Sequence, residues 1–314
     1  MASDLSQHCI LTLPMEGVVQ DLRAAGFSPT LWPRDPEGSE RMLTQIAPEV
    51  EAIVTIGAIG LSDAFLDSAP KLGFISCYGA GYESYDPEAL RARGIRLVNG
   101  GGANAEDVAD LGMGLLLAVR RRIVEMDRLI RQGQWPQMTG LAHRLRGQKL
   151  GVLGLGAIGL AMARRAEAFG MQIAWSGPRP KPVDWPYFAD PKALAEWSDV
   201  LFISCRPTPE NTGLVNRAML DALGRNGVLL NVARGTVVDE PALIAALQEG
   251  RIAGAGLDVY ADEPPDPVWR DTPNTVLHPH RGGATFEALD ECRAILVENL
   301  RRHFAGEPLL TPVN

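Results

Sequence analysis

This 314-residue chain has few cysteines, no excess of positive charge and no long hydrophobic run. Its four cysteines are widely scattered and form no C-x-x-C pair, which argues against a disulfide framework and against a zinc site. The longest apolar stretch, residues 108–119, is interrupted by Asp110 and falls short of the ~20 residues that a membrane span needs. The N-terminal residues show no basic region followed by an apolar one. We therefore expect a cytoplasmic protein with reduced thiols and no metal site.

Positive charge is outnumbered by negative charge. The chain has 30 Lys and Arg against 38 Asp and Glu, a net charge of −8, and no long basic run. Binding to nucleic acid or to an anionic membrane irrespective of sequence depends on clustered cations, so we expect neither partner. The 46% of apolar and 22% of charged residues are typical of an ordinary folded protein, and the length suggests two domains. A small molecule is the expected ligand.

Short β-rich runs alternate with longer helical ones along the whole chain. This pattern is typical of parallel sheets with crossover helices, so it predicts an α/β protein with two parallel sheets, one in a small unit and one in a larger unit. The predicted strands are residues 9–13, 52–55, 74–77 and 96–98 in the small unit, and 149–153, 172–175, 200–205, 228–232, 254–259 and 276–278 in the large one.

Two long helices are predicted besides these strands. The first covers residues 108–131; it begins after Glu106 and Asp107, which suit the helix dipole, and ends near Gly133. Around residues 111–119 its apolar residues occupy nearly every face, so we expect it to be buried between domains or between subunits. The second covers residues 285–305, with one apolar stripe that consists of Phe286, Leu289, Leu296, Leu300 and Phe304.

A glycine-rich turn follows the predicted strand 149–153. Gly154, Gly156 and Gly159 form G-x-G-x-x-G between an apolar strand and an Ala-rich helix at residues 160–169, which is the context of a dinucleotide-binding turn. The first glycine permits a tight turn, the second lets a pyrophosphate approach, and the third allows the helix to pack closely. The helix N-terminus attracts phosphate charge. A glycine turn without a ligand is the alternative. The expected cofactor contacts in this turn are Gly154, Leu155, Gly156, Ala157, Ile158 and Gly159.

The next strand ends without a carboxylate, although an acidic side chain normally binds the ribose 2′-hydroxyl at this position. The sequence offers Ser176, Arg179 and Lys181 instead, a hydroxyl and two cations. A guanidinium binds phosphate through two parallel hydrogen bonds, which favours NADP(H), with NAD(H) possible. The alternative is that Arg179 and Lys181 are solvated loop charges.

Six motifs in order resemble the D-2-hydroxyacid dehydrogenase family, and within it the glyoxylate and hydroxypyruvate reductases. They comprise residues 78–82, 99–110, 147–159, 231–239, 256–264 and 279–285. The resemblance implies two Rossmann-like domains: a substrate-binding domain of residues 1–98 and 286–314, and a larger NAD(P)-binding Rossmann domain of residues 99–285. It also implies a homodimer held through the nucleotide-binding domains.

The activity that the resemblance implies is NADPH-dependent reduction of glyoxylate or hydroxypyruvate to the D-2-hydroxy acid by hydride transfer. One alternative is a D-2-hydroxyacid dehydrogenase for a larger or phosphorylated acid. The other is a corepressor-like protein that uses the fold to sense nicotinamide without turnover.

Three catalytic side chains are expected in these motifs. His280 is the candidate acid and base, because imidazole titrates near neutrality. Glu263 would orient the ring and favour its protonated form, and Arg234 would bind the substrate carboxylate and keto oxygen. His278 lies two positions away, and spacing alone does not separate it from His280. The Pro-His-x-Gly-Gly context selects His280 and leaves His278 as a strand residue.

The remaining site residues also follow from the resemblance. Backbone amides at Ala80 and Gly81 would bind the substrate carboxylate. Trp135 would reach the pocket of a neighbouring subunit; the alternative is that it anchors its own loop to the core. The family pattern further implies cofactor contacts at Pro207, Val232, Ala233, Asp258 and Gly282. Arg281, next to His280, puts a positive charge near the site.

Overall fold

The computed structural model describes residues 5–33, 45–135 and 140–314. The chain divides into two compact units, a first unit of residues 1–104 and 285–314 and a second unit of residues 105–284. Each unit contains one sheet whose strands are all parallel in the described part of the chain. The predicted α/β class with two parallel sheets is confirmed.

The first unit has a five-stranded sheet in the order β2-β1-β3-β4-β5. Its strands are β1 (Ile10–Thr12), β2 (Thr30–Leu31), β3 (Ala52–Thr55), β4 (Phe74–Cys77) and β5 (Arg96–Val98). Its helices are α1 (Glu16–Ala24), α2 (Asp63–Ser68), α3 (Pro87–Ala92) and the C-terminal α10 (Phe286–Ala305). The strands β1, β3 and β4 are buried along their whole length, as expected for a parallel sheet covered on both faces.

The apolar stripe predicted for α10 is wrong at its start. Leu296 and Leu300 are buried, but Phe286 is 87% exposed. The buried face begins at Ala288 and continues through Cys292, four residues apart like the two leucines. Phe286 lies two positions before Ala288, which is about 200° around a helix, and therefore points away from that face.

The second unit has a seven-stranded sheet in the order β12-β11-β10-β9-β6-β7-β8. Its strands are β6 (Lys149–Leu153), β7 (Gln172–Ser176), β8 (Tyr187–Phe188), β9 (Val200–Ile203), β10 (Val228–Asn231), β11 (Gly254–Leu257) and β12 (Thr275–Leu277). Its helices are α4 (Ala105–Arg120), α5 (Ile123–Arg131), α6 (Ala157–Ala168), α7 (Pro191–Trp197), α8 (Arg217–Leu223) and α9 (Glu240–Gln248). The strand order reverses between β6 and β9, which is where open α/β sheets bind ligands at the carboxyl ends of their strands.

The single long helix predicted over residues 108–131 is wrong, because the chain forms α4 and α5 with a break between them. Arg122 adopts a left-handed backbone conformation, with φ at 53°, and this ends the helical path. Before the break, the buried Arg120 donates hydrogen bonds to the carbonyls of Asp199 (2.6 Å) and Asn226 (2.7 Å), which fixes the end of α4. The prediction of burial fits α4, whereas α5 has no buried residue.

Several strands of the second unit end earlier than predicted. Strands predicted to reach residues 205, 232 and 259 end at Ile203, Asn231 and Leu257, so the residues beyond them belong to loops. His278, predicted to be a strand residue, follows the last residue of β12 instead. The two-residue strands β2 and β8 were not predicted, because a run that short has no readable period. Among the described residues, no helix combines the length and the apolar character that a membrane crossing requires.

Candidate active site

The three predicted catalytic side chains follow three neighbouring strands. Arg234 comes three residues after β10, Glu263 lies in the loop after β11, and His280 comes three residues after β12. These strands are adjacent and parallel, so their carboxyl ends meet at one edge of the sheet. The backbone at Gly235 packs against the loop after β11: a Cβ atom there would lie 1.8 Å from the carbonyl carbon of Tyr260. The segment that carries Arg234 is thus in contact with the segment that leads to Glu263.

His280 and Glu263 contact each other directly. The Nδ1 atom of His280 lies 2.7 Å from Oε2 of Glu263. Both side chains are about 40% exposed, so solvent reaches the pair (41% and 39%). The other carboxylate oxygen of Glu263 accepts a hydrogen bond from the backbone N–H of Tyr260 at 3.3 Å. The carboxylate is therefore anchored to its own loop and fixes one nitrogen of the ring, which leaves Nε2 to meet a ligand.

The backbone of His280 is strained. Its φ angle is 51°, in the left-handed region that non-glycine residues avoid at a cost of about 1–3 kcal/mol. Its N–H donates to the carbonyl oxygen of His278 at 3.1 Å, so the chain turns sharply at Pro279. A residue held in this region indicates a local structure that is constrained by its surroundings, as is common at ligand sites.

His278 has a carboxylate partner of its own. Its Nδ1 atom lies 2.6 Å from Oδ1 of Asp258, a residue that is only 2% exposed. The same carboxylate accepts hydrogen bonds from the backbone N–H groups of Arg281 and Gly282, each at 2.9 Å. Asp258, predicted as a cofactor contact, therefore has both of its oxygens bound by residues 278–282. Sequence reasoning missed this role, because nothing in the spacing connects Asp258 with residues 278–282.

Arg234 ends a short turn that is held by an asparagine. The side chain of Asn231 accepts from the N–H of Ala233 and donates to the carbonyl of Arg234, both at 3.0 Å. The half-buried guanidinium donates to the carbonyl of Ala233 at 2.6 Å. Asn231 is 1% exposed and was also missed, although the sequence could have indicated it: Asn commonly bonds to the backbone two residues ahead.

The glycine turn has the geometry expected of a dinucleotide site. Gly154 has φ at 97°, and a Cβ atom on it would lie 2.4 Å from the Cα of Cys205. A Cβ atom on Gly159 would lie 2.2 Å from the carbonyl oxygen of Gly154. These two glycines are therefore required by packing. Gly156 precedes α6 and has nothing within 4 Å of its Cβ position, so the open space above the helix N-terminus fits a phosphate group.

The three polar residues predicted to bind a 2′-phosphate differ in their surroundings. The ammonium group of Lys181 donates to the carbonyl oxygen of Leu155 at 2.6 Å, which places its charge on the glycine turn. Arg179 is exposed and makes no ion pair or hydrogen bond within the part of the chain that the structure describes. Ser176 is 1% exposed, and its hydroxyl oxygen has no hydrogen-bond partner among the described residues.

Burial also affects two groups close to these loops. It raises the pKa of the Cys205 thiol to about 11, so the sulfur beside Gly154 is a neutral thiol near pH 7. It raises the pKa of Tyr260 to about 12, and the tyrosine hydroxyl donates to the carbonyl of His278 at 3.1 Å. Neither group is ionised for nucleophilic chemistry. In the described ranges, no cluster of His, Cys, Asp and Glu has the arrangement of a metal site.

The other residues predicted to contact the cofactor follow the carboxyl ends of strands in the second unit. Pro207 follows β9, Val232 and Ala233 follow β10 and are buried, and the N–H of buried Gly282 bonds to Asp258. These contacts assign no ligand role to the four residues.

The predicted substrate loop belongs to the first unit and follows β4. The carbonyl of Ala80 accepts a hydrogen bond from the side chain of Asn99 at 2.7 Å. A Cβ atom on Gly57 would lie 2.2 Å from the carbonyl oxygen of Gly81, so the loop packs on that glycine. In the second unit, Trp135 is 83% exposed and does not anchor its loop to the core of its own chain.

Residues 113–282, more than half of the chain, match the family described as D-isomer specific 2-hydroxyacid dehydrogenase, NAD binding domain. The chain belongs to this family. The dehydrogenase is 42% identical to 2-ketogluconate reductase from Gluconobacter oxydans over 88% of its own length and 91% of that protein. It is 37% identical to glyoxylate/hydroxypyruvate reductase A from Arabidopsis thaliana, with 97% and 98% of the two chains covered.

One solved structure is similar to this chain over nearly the whole length of both. It is an NADPH-dependent glyoxylate/hydroxypyruvate reductase from Sinorhizobium meliloti in complex with NADP and malonate, with 34% identity, a TM-score of 0.85 and 98% and 97% of the two chains covered. The predicted family is confirmed, and the dehydrogenase is an NAD(P)-dependent oxidoreductase of the 2-hydroxyacid class. The sensor alternative without turnover finds no support among these relatives.

Proposed function

We propose that this dehydrogenase reduces a short 2-keto acid, glyoxylate or hydroxypyruvate, to the D-2-hydroxy acid with NADPH. The observation that carries the proposal is the 2.7 Å contact between His280 and Glu263 at the sheet edge where Arg234 also lies. An imidazole held by a carboxylate, at the same sheet edge as a guanidinium, suits proton transfer to a carbonyl oxygen whose carboxylate group is bound.

Each side chain has one task in the proposed reaction. Arg234 binds the substrate carboxylate and keto oxygen and so fixes the carbonyl carbon. Glu263 holds Nδ1 of His280, and Nε2 delivers the proton to the keto oxygen. The nicotinamide supplies the hydride when the cofactor is bound. In the reverse direction, Nε2 accepts the hydroxyl proton of the 2-hydroxy acid.

The preference for NADPH is supported by charge near the glycine turn. Lys181 holds its ammonium group on the carbonyl of Leu155, Arg179 has no partner within the described residues, and the loop after β7 carries no carboxylate before Asp184. Two cations and no nearby acid favour a 2′-phosphate over a free hydroxyl. The similar enzyme from Sinorhizobium meliloti was solved with NADP. We further propose that the second unit binds the cofactor and that the first unit contributes Ala80 and Gly81 to substrate binding.

We also propose a homodimer held through the second unit. Five large apolar side chains on α5 and the following loop are exposed, and single chains seldom leave so many together. They are Ile123, Val124, Ile130, Trp135 and Leu141. Trp135 would then contact the neighbouring subunit. A cytoplasmic location is proposed because Cys9, Cys77, Cys205 and Cys292 are all free thiols.

The activity is tested by mixing the protein with NADPH or NADH and following the nicotinamide absorbance with glyoxylate, hydroxypyruvate or 2-ketogluconate. We expect turnover of the two short acids with NADPH. Absence of turnover with all three acids would refute the proposed reaction. Faster turnover of 2-ketogluconate would assign the larger acid instead, in keeping with the similarity to a 2-ketogluconate reductase.

The cofactor preference is tested with Arg179→Glu and Lys181→Met. Both are expected to raise the KM for NADPH at least tenfold and to change the KM for NADH less than threefold, because only NADPH carries the phosphate. Arg164→Glu is the matched control, since Arg164 is exposed on α6 and has no partner among the described residues. Equal effects on both cofactors would mean that these cations do not bind the 2′-phosphate.

A further inference from the structure

The loop of residues 278–282 carries His280 in a conformation that it would not adopt by itself. The left-handed φ of 51° and the bond from the His280 N–H to the His278 carbonyl describe a sharp turn centred on Pro279. A strained backbone conformation persists only where the surrounding structure holds it. The contacts made by the residues that flank His280 therefore determine, together with the bond to Glu263, where its imidazole lies.

One buried carboxylate binds both sides of this turn. Asp258 receives the imidazole Nδ1 of His278 from the side before His280, and the N–H groups of Arg281 and Gly282 from the side after it. The carboxylate side chain is only 3% exposed, so water does not replace a lost donor easily. Gly282 packs tightly against it, because a Cβ atom there would lie 2.7 Å from Oδ2 of Asp258.

His278 is the only one of these three donors that acts through its side chain. Its imidazole reaches from the end of β12 to the end of β11, at 2.6 Å from Oδ1 of Asp258. Its carbonyl oxygen accepts from the hydroxyl of Tyr260 and from the N–H of His280. The residue is therefore fixed at its side chain and at its backbone, immediately before the turn.

We propose that His278 is a positioning residue: its bond to Asp258 holds the 278–282 turn and thereby keeps His280 in place for proton transfer. The inference rests on the proposed function, since it assigns the proton transfer to His280. Without the imidazole, Asp258 keeps only the two backbone donors that follow His280. The side before His280 is then held through the backbone of His278, and the turn relaxes more easily towards an ordinary φ. The ring of His280 then moves while its bond to Glu263 persists. Small displacements of a reacting group are costly, because misplacement by about 1 Å lowers a rate by up to about 10²-fold.

The test compares His278→Leu with His278→Asn. Leucine removes the donor, and we expect kcat to fall about 10- to 100-fold while the KM values for keto acid and NADPH change less than threefold. Asparagine places an amide N–H close to the position of Nδ1, and we expect it to retain at least one third of kcat. His278→Ser is polar but too short to reach Asp258, so it tests the same contact if the leucine variant does not fold.

Two control variants show whether a loss of kcat comes from the position of His280. His8→Leu removes a comparable pair, His8 with Glu51 at 3.2 Å in the first unit, and is expected to leave kcat unchanged. His280→Ala is expected to abolish most turnover; if it does not, the proposed function itself fails. If His280→Ala loses activity but the leucine and serine variants of His278 keep kcat within threefold, the positioning role is refuted. An asparagine variant as slow as the leucine variant would refute it as well.

Discussion

Replacing Glu263 by glutamine tests whether the carboxylate acts on His280 by its charge. Glutamine keeps an oxygen that can accept from Nδ1 of His280, which lies 2.7 Å from Glu263, but it removes the negative charge. Two unit charges 4 Å apart interact by about 1 kcal/mol in water and about 4 kcal/mol near a protein surface. Because both side chains are about 40% exposed, we take an interaction energy between these two limits, about 1.5–3 kcal/mol. We expect kcat to fall roughly 10- to 100-fold, at 1.36 kcal/mol per tenfold.

The same substitution should hardly change stability, because exposed ion pairs contribute about 0–1 kcal/mol to folding. Steady-state kinetics with saturating NADPH gives kcat, and urea unfolding gives the free energy of unfolding. Glu240→Gln is the matched control: this carboxylate binds the same loop, because it accepts from the N–H of Ala261, and its hydrogen-bond partners among the described residues, Ala261 and Trp269, do not include His280. A Glu263→Gln enzyme with unchanged kcat, or an equal loss in Glu240→Gln, would refute the reasoning.

Two further predictions concern the free energy of unfolding, measured with urea. Gly235→Ala should lower it by about 3 kcal/mol or more, because the new Cβ atom would lie 1.8 Å from the Tyr260 backbone. Gly156→Ala, which has open space around it, should lower it by less than about 1 kcal/mol, and equal losses would contradict this packing. Burial, reinforced by Arg96, lowers the pKa of His303 from 6.5 to about 4, so the unfolded chain gains the proton first. The free energy of unfolding should therefore fall by about 1–2 kcal/mol as the pH is lowered from 6.5 to 4, an amount that allows for the partial exposure of the ring. His303→Gln should remove this pH dependence, and an unchanged pH dependence would exclude His303 as its cause.

Sequence periodicity predicted the strands well because the interior of a parallel sheet is a run of apolar residues with a clear boundary. Four predicted strands, 52–55, 74–77, 96–98 and 149–153, have the bounds that the structure shows. The break between α4 and α5 could not be predicted in the same way. Arg121 and Arg122 are good helix formers, and the interruption accompanies hydrogen bonds from Arg120 to carbonyls that are 79 and 106 residues away in the sequence.

The candidate site shows the same division between local and distant information. The glycine turn is local, so its spacing and the strand and helix on either side of it indicated which glycines the packing requires. The partners of the two histidines are distant: Asp258 is 20 residues from His278, and Glu263 is 17 residues from His280. From spacing, the two histidines were equivalent. The difference between them is that one pairs with a buried carboxylate and the other with a half-exposed one, and only the fold creates it.

That difference in burial also bears on which histidine can exchange a proton with a ligand. Asp258 has both oxygens engaged by three donors and is shielded from water, so its pair with His278 is suited to holding the chain in place. Glu263 accepts from one ring and one backbone N–H, and its pair with His280 remains accessible. A proton donor must reach its substrate and be reloaded from solvent after each turnover. The two rings are similarly exposed, 34% for His278 and 41% for His280, so the distinction lies in their carboxylates: Glu263 is the more accessible and has fewer donors, which favours its partner His280 as the proposed acid.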